Sequence, residues 1–121
     1  MGDADVGPIE GQVLLLAAAK ASVPGERLPP LVRRVNDHLS EELPEYRRRY
    51  ELACETDDCA CFFVETGHWE GLGEALSFNH RETDAVERAH TEQLRRIGSR
   101  LDRREEFEAA LDIREPLLIG L

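Results

Sequence analysis

Apolar side chains recur along this chain in blocks whose spacing is that of helices. Val13 to Ala19 are apolar without interruption between Gln12 and Lys20, which predicts a first helix over about 10–22 that is apolar nearly all round. Such a helix needs cover on every side, from the core or from a second copy. The turn Val23-Pro24-Gly25-Glu26 ends it, because Pro presets the first turn dihedral and Gly relieves the second. A second helix then starts at Pro29-Pro30 and runs to about Glu42, with Leu31, Val35 and Leu39 inward and Arg33, Arg34, Asp37 and Glu41 outside. Pro44 suits a first helical position, and Tyr46, Tyr50, Ala53 and Cys54 follow at i, i+4, i+7 and i+8. The pattern predicts a third helix reaching Cys54, with Arg47, Arg48 and Arg49 turned outward.

Thr56-Asp57-Asp58 breaks that periodicity. Cys59 to Thr66, ended by Gly67, is the stretch with strand-like content, and a buried helical turn is the alternative reading. Trp69, Leu72, Gly73 and Leu76 mark a short helix, and Asn79 or Thr83 caps a long one that points Val86, His90, Leu94, Ile97 and Leu101 inward. Phe107, Ala110 and Leu111 make a last amphipathic turn or two. Glu115-Pro116 ends it, leaving Leu117-Leu118-Ile119 as a strand or a docking tail. The expected fold is mainly α: a single-domain bundle of five or six helices with a short two-stranded element around 62–64 and 117–119. Residues 1–8 read as a flexible N-terminus and 9–121 as one helical domain.

A chain of 121 residues can bury about two-thirds of its unfolded surface, enough for a core without metals or disulfides. The longest apolar run is Val13 to Ala19, far short of the roughly 20 residues of a membrane span. The first ten residues carry Asp3, Asp5 and Glu10 and no base, unlike a secretory signal, so the chain reads as cytoplasmic and its thiols as reduced. Charge sharpens the picture. Asp and Glu number 25 against 15 Lys and Arg, a net charge of −10, and Lys20 is the one lysine. Such a surface suits molar salt, where the Debye length falls to about 3 Å and self-repulsion is screened. Glu51 to His80 holds seven acids and no Lys or Arg, whereas Arg27 to Tyr50 holds six arginines against four acids, so an anion-binding face belongs there.

Cys54, Cys59, Cys61 and His68 are ligand types that zinc accepts, but structural sites use pairs separated by two to four residues, and Cys59-x-Cys61 in a strand only puts two thiols on one face. Cysteine is also among the most buried residue types. A thiol nucleophile at Cys59 or Cys61 activated by His68 needs nearby positive charge, and its sequence neighbours Glu55, Asp57, Asp58 and Glu65 are acids. Packing is therefore the expected role of the cysteines, and no cofactor is expected. His90 reads as a core or boundary histidine.

Leu72-Gly73-Glu74-Ala75-Leu76-Ser77-Phe78-Asn79, followed by Thr83 and Val86, resembles helix-turn-helix DNA-binding segments. It departs from them at Ser77, where a turn Gly is usual, and at Thr83, normally apolar. The resemblance implies a recognition helix presenting Arg81, Glu82, Asp84 and Glu87, a poor surface to bring to phosphate. In composition, and in the segments Gly67-His68-Trp69 and Glu105 to Gly120, the chain also resembles small acidic proteins of unknown function from halophilic archaea. That resemblance carries no activity. The expected function is a non-enzymatic interaction or regulatory protein, acting as a homodimer or on a protein partner through Leu14, Leu15 and Leu16 and through Leu117, Leu118 and Ile119. A nucleic-acid-binding regulator using Arg33, Arg34, Arg47, Arg48 and Arg49 is the alternative, and a Cys/His metal or thiol protein the second. Neither a nucleic-acid nor a membrane partner is expected.

Overall fold

The computed structural model describes residues 5–121. Its elements, in chain order, are α1 (Gly11–Lys20), a 3₁₀ turn (Gly25–Arg27), α2 (Leu28–Glu41), α3 (Leu43–Arg49), β1 (Glu51–Glu55), β2 (Cys59–Val64), α4 (His68–Ala75), α5 (His80–Arg100), α6 (Arg104–Leu111) and β3 (Glu115–Gly120). Among the described residues the fold is thus six α-helices and one antiparallel sheet of order β1-β2-β3. The two-stranded element is present with Phe62 opposite Leu117 and Val64 opposite Glu115, and β1 widens it to three strands.

β2 sits in the middle because its sequence, Cys-Ala-Cys-Phe-Phe-Val, offers no polar side chain to either face, and all of it is buried. Alternation places Cys59, Cys61 and Phe63 on one face and Ala60, Phe62 and Val64 on the other. Phe63 meets the ring of Phe107 from α6 edge-on at 5.9 Å, and Phe62 meets Tyr46 from α3 at 5.8 Å. Helices therefore cover both faces.

The third helix is shorter than its spacing predicts. It stops at Arg49, and Ala53 and Cys54 belong to β1, where a register shift between Leu52 and Cys54 marks a bulge. A bulge turns two consecutive residues inward, so buried Ala53 and Cys54 imitate the i+7 and i+8 positions of a helix. Leu101 is a second correction: it follows α5 and is 44% exposed. Residues 5–8 are not a frayed end, since Val6 and Ile9 exchange backbone hydrogen bonds of 2.9 and 3.0 Å, both are buried, and Asp5 Oδ1 accepts from the Gly11 amide. Residues 1–4 of the expected flexible terminus lie outside the described residues.

β3 is an edge strand, and three of its outward backbone groups are engaged by side chains. The Trp69 indole donates to the Pro116 carbonyl at 2.7 Å, the Leu118 amide donates to His90 Nδ1 at 2.9 Å, and the Gly120 amide donates to Asn36 Oδ1 at 2.8 Å. Pro116 has no amide to satisfy. These side chains come from α4, α5 and α2, so the edge is sealed by three helices and cannot template another strand. Leu117, Leu118 and Ile119 are consequently fully buried. They are core, and the expectation that they form an interaction surface is corrected: pairing with β2 on one side and helices on both faces leave them no solvent.

α5 runs through the molecule against α1, α2, α4, α6 and β3. Asn79 starts it with a capping box, its side chain accepting from the Glu82 amide and the Glu82 carboxylate accepting from the Asn79 amide, each at 2.8 Å. α4 meets it closely: a Cβ on Gly73 would overlap Thr83 Oγ1.

Candidate functional site

Three groups of polar or reactive side chains come together in this fold. The first is a thiol cluster on one face of the sheet. Alternation along β2 puts Cys59 and Cys61 side by side with Sγ atoms 3.6 Å apart, and register puts Cys54 of β1 directly opposite Cys61. The β1–β2 turn adds Thr56, whose Oγ1 accepts from the Asp58 and Cys59 amides, each at 3.2 Å, and lies 3.6 Å from Cys59 Sγ. The thiols are free and buried. The Cys59 and Cys61 thiols are hydrogen-bonded to each other. This pulls Cys59 down to about 7, with the Thr56 hydroxyl assisting and burial, Asp58 and Glu55 opposing. Cys54 is lowered by the adjacent Cys61 thiol, and Cys61 is pushed up by its neighbours Cys54 and Cys59 and by burial.

Cys59 forms part of the wall of a cleft of about 400 Å³ that also includes Asp58, Glu10, Gln93, Ile97 and Arg100. Glu10 is the anchor of that cleft. Its carboxylate takes two bonds from Arg100, 2.6 and 2.9 Å, one from Arg96 at 3.2 Å and one from the Gln93 amide at 2.7 Å, while Gln93 Oε1 accepts from the Glu10 backbone at 2.9 Å. The Arg100 bonds, then Gln93, lower the Glu10 carboxyl to about 2 against the opposing effect of burial. This network ties the start of α1 to α5, and its arginines are occupied.

The second group is a hydrogen-bonded chain on the other face. Tyr46 Oη lies 2.6 Å from His68 Nε2, and His68 Nδ1 lies 3.4 Å from Glu65 Oε1. Tyr50 stacks edge-on against the same imidazole at 5.3 Å. Burial raises the Tyr46 phenol, so Tyr46 stays protonated, and its hydrogen bond with the imidazole fastens α3 to the start of α4. Tyr46 packs on Phe62, whereas Cys59 and Cys61 point to the opposite face. His68 therefore joins neither the proposed zinc set nor the thiol nucleophile, a correction to both readings. Among the described residues no group of three or more His, Cys, Asp or Glu side chains is placed to hold a metal ion.

The third group is acidic. Glu87 of α5 faces Glu115 and Asp84, and half-burial, then those two carboxylates, raise it to about 7. Glu115 is itself bound, accepting from the Gly67 and Trp69 amides at 3.0 and 2.9 Å, where its charge caps the start of α4.

The arginines expected to form an anion-binding face do not assemble into one. Arg47 pairs with Glu55 at 2.7 Å, and Arg48 and Arg49 both reach Glu45. Arg33 is exposed on α2, and Arg34 lies over the Phe78 ring at 5.4 Å. The leucines of α1 divide: Leu14 is buried, whereas Leu15 and Leu16 remain 53% and 44% exposed.

Residues 7–121 match the sequence profile of a family described as a domain of unknown function, DUF8048. The chain belongs to that family. No curated protein and no solved structure matches it. Membership in DUF8048 covers the fold described above from Gly7 to the end of β3 and assigns no residue a role. The sites of this DUF8048 domain are therefore judged by their chemistry. Sequence spacing anticipated the Cys59 and Cys61 pair but missed Cys54 as its cross-strand neighbour. It also missed the Glu10 network, whose partners lie more than eighty positions away. No helix is long and apolar enough to cross a membrane among the described residues.

Proposed function

We propose that this domain is a non-enzymatic interaction protein that works by self-association through the outer face of α1. One observation carries the reading: Leu15 and Leu16 stand next to each other at 53% and 44% exposure on a helix whose other face, Val13, Leu14, Ala17 and Ala18, is core. Ala19 is exposed one turn beyond Leu15 and extends the strip. A two-fold pairing of α1 with α1 covers both leucines at once, since a symmetric contact buries the same patch on each copy. Small Ala19 permits close approach of the helices. The nucleic-acid reading has less support, because Arg47 is paired with Glu55 and Arg48 and Arg49 share Glu45, and a duplex-binding face depends on free cations. The acidic surface, with its arginines paired to carboxylates, supports a working environment of high salt inside the cell.

Light scattering across a concentration series tests the proposal. A dimer is expected at high micromolar concentration, and Leu15→Asp is expected to give a folded monomer, because the substitution falls outside the core. A wild-type monomer at the highest concentration, or a Leu15→Asp variant that keeps the dimer mass, overturns it.

A further inference from the structure

The cleft that ends on Cys59 and the cross-strand alignment of Cys54 with Cys61 have no role in self-association through α1. We infer that the three cysteines form a peroxide-oxidisable thiol relay, in which Cys59 is the thiol that meets the oxidant and a Cys54–Cys61 disulfide across the hairpin is the stable product. Three observations carry this. Cys59 lines the cleft of about 400 Å³, whereas Cys54, the most exposed of the three at 9%, and fully buried Cys61 are not part of its wall, so a small hydroperoxide that enters the cleft meets Cys59. The Cys59 and Cys61 sulfurs are 3.6 Å apart, close enough for the second to attack the first. Cys54 and Cys61 are register partners. Directly opposite residues of antiparallel strands have Cα atoms about 4.5–5.5 Å apart, inside the range of about 4.4–6.8 Å that a disulfide spans. Cys59 and Cys61, two positions apart on one strand, are separated by about 6.6 Å, at the edge of that range. A bond between them is therefore strained and gives way to the cross-strand one.

The chemistry balances with a hydroperoxide as the sole oxidant. The Cys59 thiolate attacks the terminal oxygen, the O–O bond breaks, and Cys59 sulfenic acid forms while the alkoxide takes up a proton and leaves as alcohol. Cys61 Sγ then attacks the sulfenic sulfur, its thiol proton goes to the departing hydroxide, and water leaves behind a Cys59–Cys61 disulfide. Cys54 Sγ attacks Cys61 Sγ and expels Cys59 as thiolate, which recovers the proton Cys54 gave up. In sum, two thiols and one hydroperoxide become one disulfide, one alcohol and one water, and Cys59 is returned reduced. The lowered pKa of Cys59, held down by the Cys61 and Thr56 hydrogen bonds, is what a first attacking thiol requires, since the thiolate is the nucleophile.

Native protein treated with hydrogen peroxide, quenched by alkylation and mapped by peptide mass spectrometry tests the relay. The wild type is expected to end with Cys54 linked to Cys61 and Cys59 alkylated. Cys54→Ala is expected to stop at the Cys59–Cys61 link. Cys61→Ala is expected to accumulate a Cys59 sulfenic acid that dimedone traps, and Cys59→Ala to slow the loss of free thiol by about tenfold or more. Full alkylation of three thiols after peroxide treatment of the wild type overturns the inference. So does a wild-type map with Cys59 linked to Cys61 and Cys54 free, or a folded Cys59→Ala variant oxidised at the wild-type rate. The wild-type map decides alone where a variant does not fold.

Discussion

His90 presents an unprotonated ring nitrogen to the Leu118 amide in a site without solvent, so its tautomer carries the proton on Nε2. The Trp69 ring closes over it edge-on at 4.7 Å, and burial lowers its proton affinity to about 3. An unfolded histidine takes a proton near 6.5. Between those values the unfolded chain binds a proton that the fold refuses, so stability falls as pH drops through this window, by at most about 1.4 kcal/mol per pH unit. Glu10, held at about 2, adds a loss of the same sign as pH falls below the ordinary carboxylate range. Glu87, raised to about 7, acts oppositely: the fold keeps a proton that the unfolded chain has released, and stability falls as pH rises towards 7. Denaturant unfolding at a series of pH values is therefore expected to show a plateau between roughly pH 4.5 and 6.5 and a steep acid limb. Glu87→Gln is expected to remove the loss on the alkaline side, stabilising the protein at pH 8 with no gain near pH 4. A histidine substitution separates the packing of His90 from its hydrogen bond. His90→Phe keeps the volume and orphans the Leu118 amide, and is expected to cost about 1–3 kcal/mol, while His90→Ala adds a cavity and costs about 2–4 kcal/mol.

The crossing of α4 and α5 is set by Gly73. A methyl there meets Thr83, whose Oγ1 is already bonded to the Asn79 carbonyl at 3.0 Å, so Gly73→Ala is expected to cost about 1–3 kcal/mol by overpacking. Thr83→Ala makes room for the methyl. The double mutant should consequently be more stable than the sum of the single changes, a coupling that a double-mutant cycle in urea measures. Asn79→Ala removes one half of the capping box and is expected to cost about 1 kcal/mol. These helices were legible in the sequence: the stripe Val86, His90, Leu94 and Ile97 and the Asn79 cap define α5, and Trp69, Leu72 and Gly73 define α4. β1 was not legible, because the bulge sets Ala53 and Cys54 inward in succession and a helical period fits them equally well. β3 was half legible. Leu117-Leu118-Ile119 read as strand or tail, and only the register with β2 and the side chains of Asn36, Trp69 and His90 decide that it is a buried edge. The thiol cluster followed the same logic, its Cys59 and Cys61 half visible in strand alternation and its Cys54 half hidden by the misassigned helix.

At the scale of the whole molecule, a net charge of −10 on 121 residues is self-repulsive, and the surface ion pairs that offset it, such as Arg88 with Asp84 and Arg103 with Glu106, are individually weak. Screening relieves the long-range repulsion more than it weakens these short contacts, so the melting temperature is expected to rise from low to molar salt. A flat or falling melting temperature would remove the high-salt reading of the surface. The sheet has a consequence of another kind, in time. β2 is buried between β1, made just before it, and β3, which lies about fifty residues further along the chain. At ribosomal rates of about 5–20 residues per second, a nascent β2 waits about 3 to 10 seconds for the strand that completes its pairing. During that wait one edge of Cys-Ala-Cys-Phe-Phe-Val is open, its two cysteines lack their final cover, and α5 has yet to close over the sheet. For this fold, the interval in which aggregation and adventitious oxidation compete with folding is set by the distance along the gene between two strands that end up side by side.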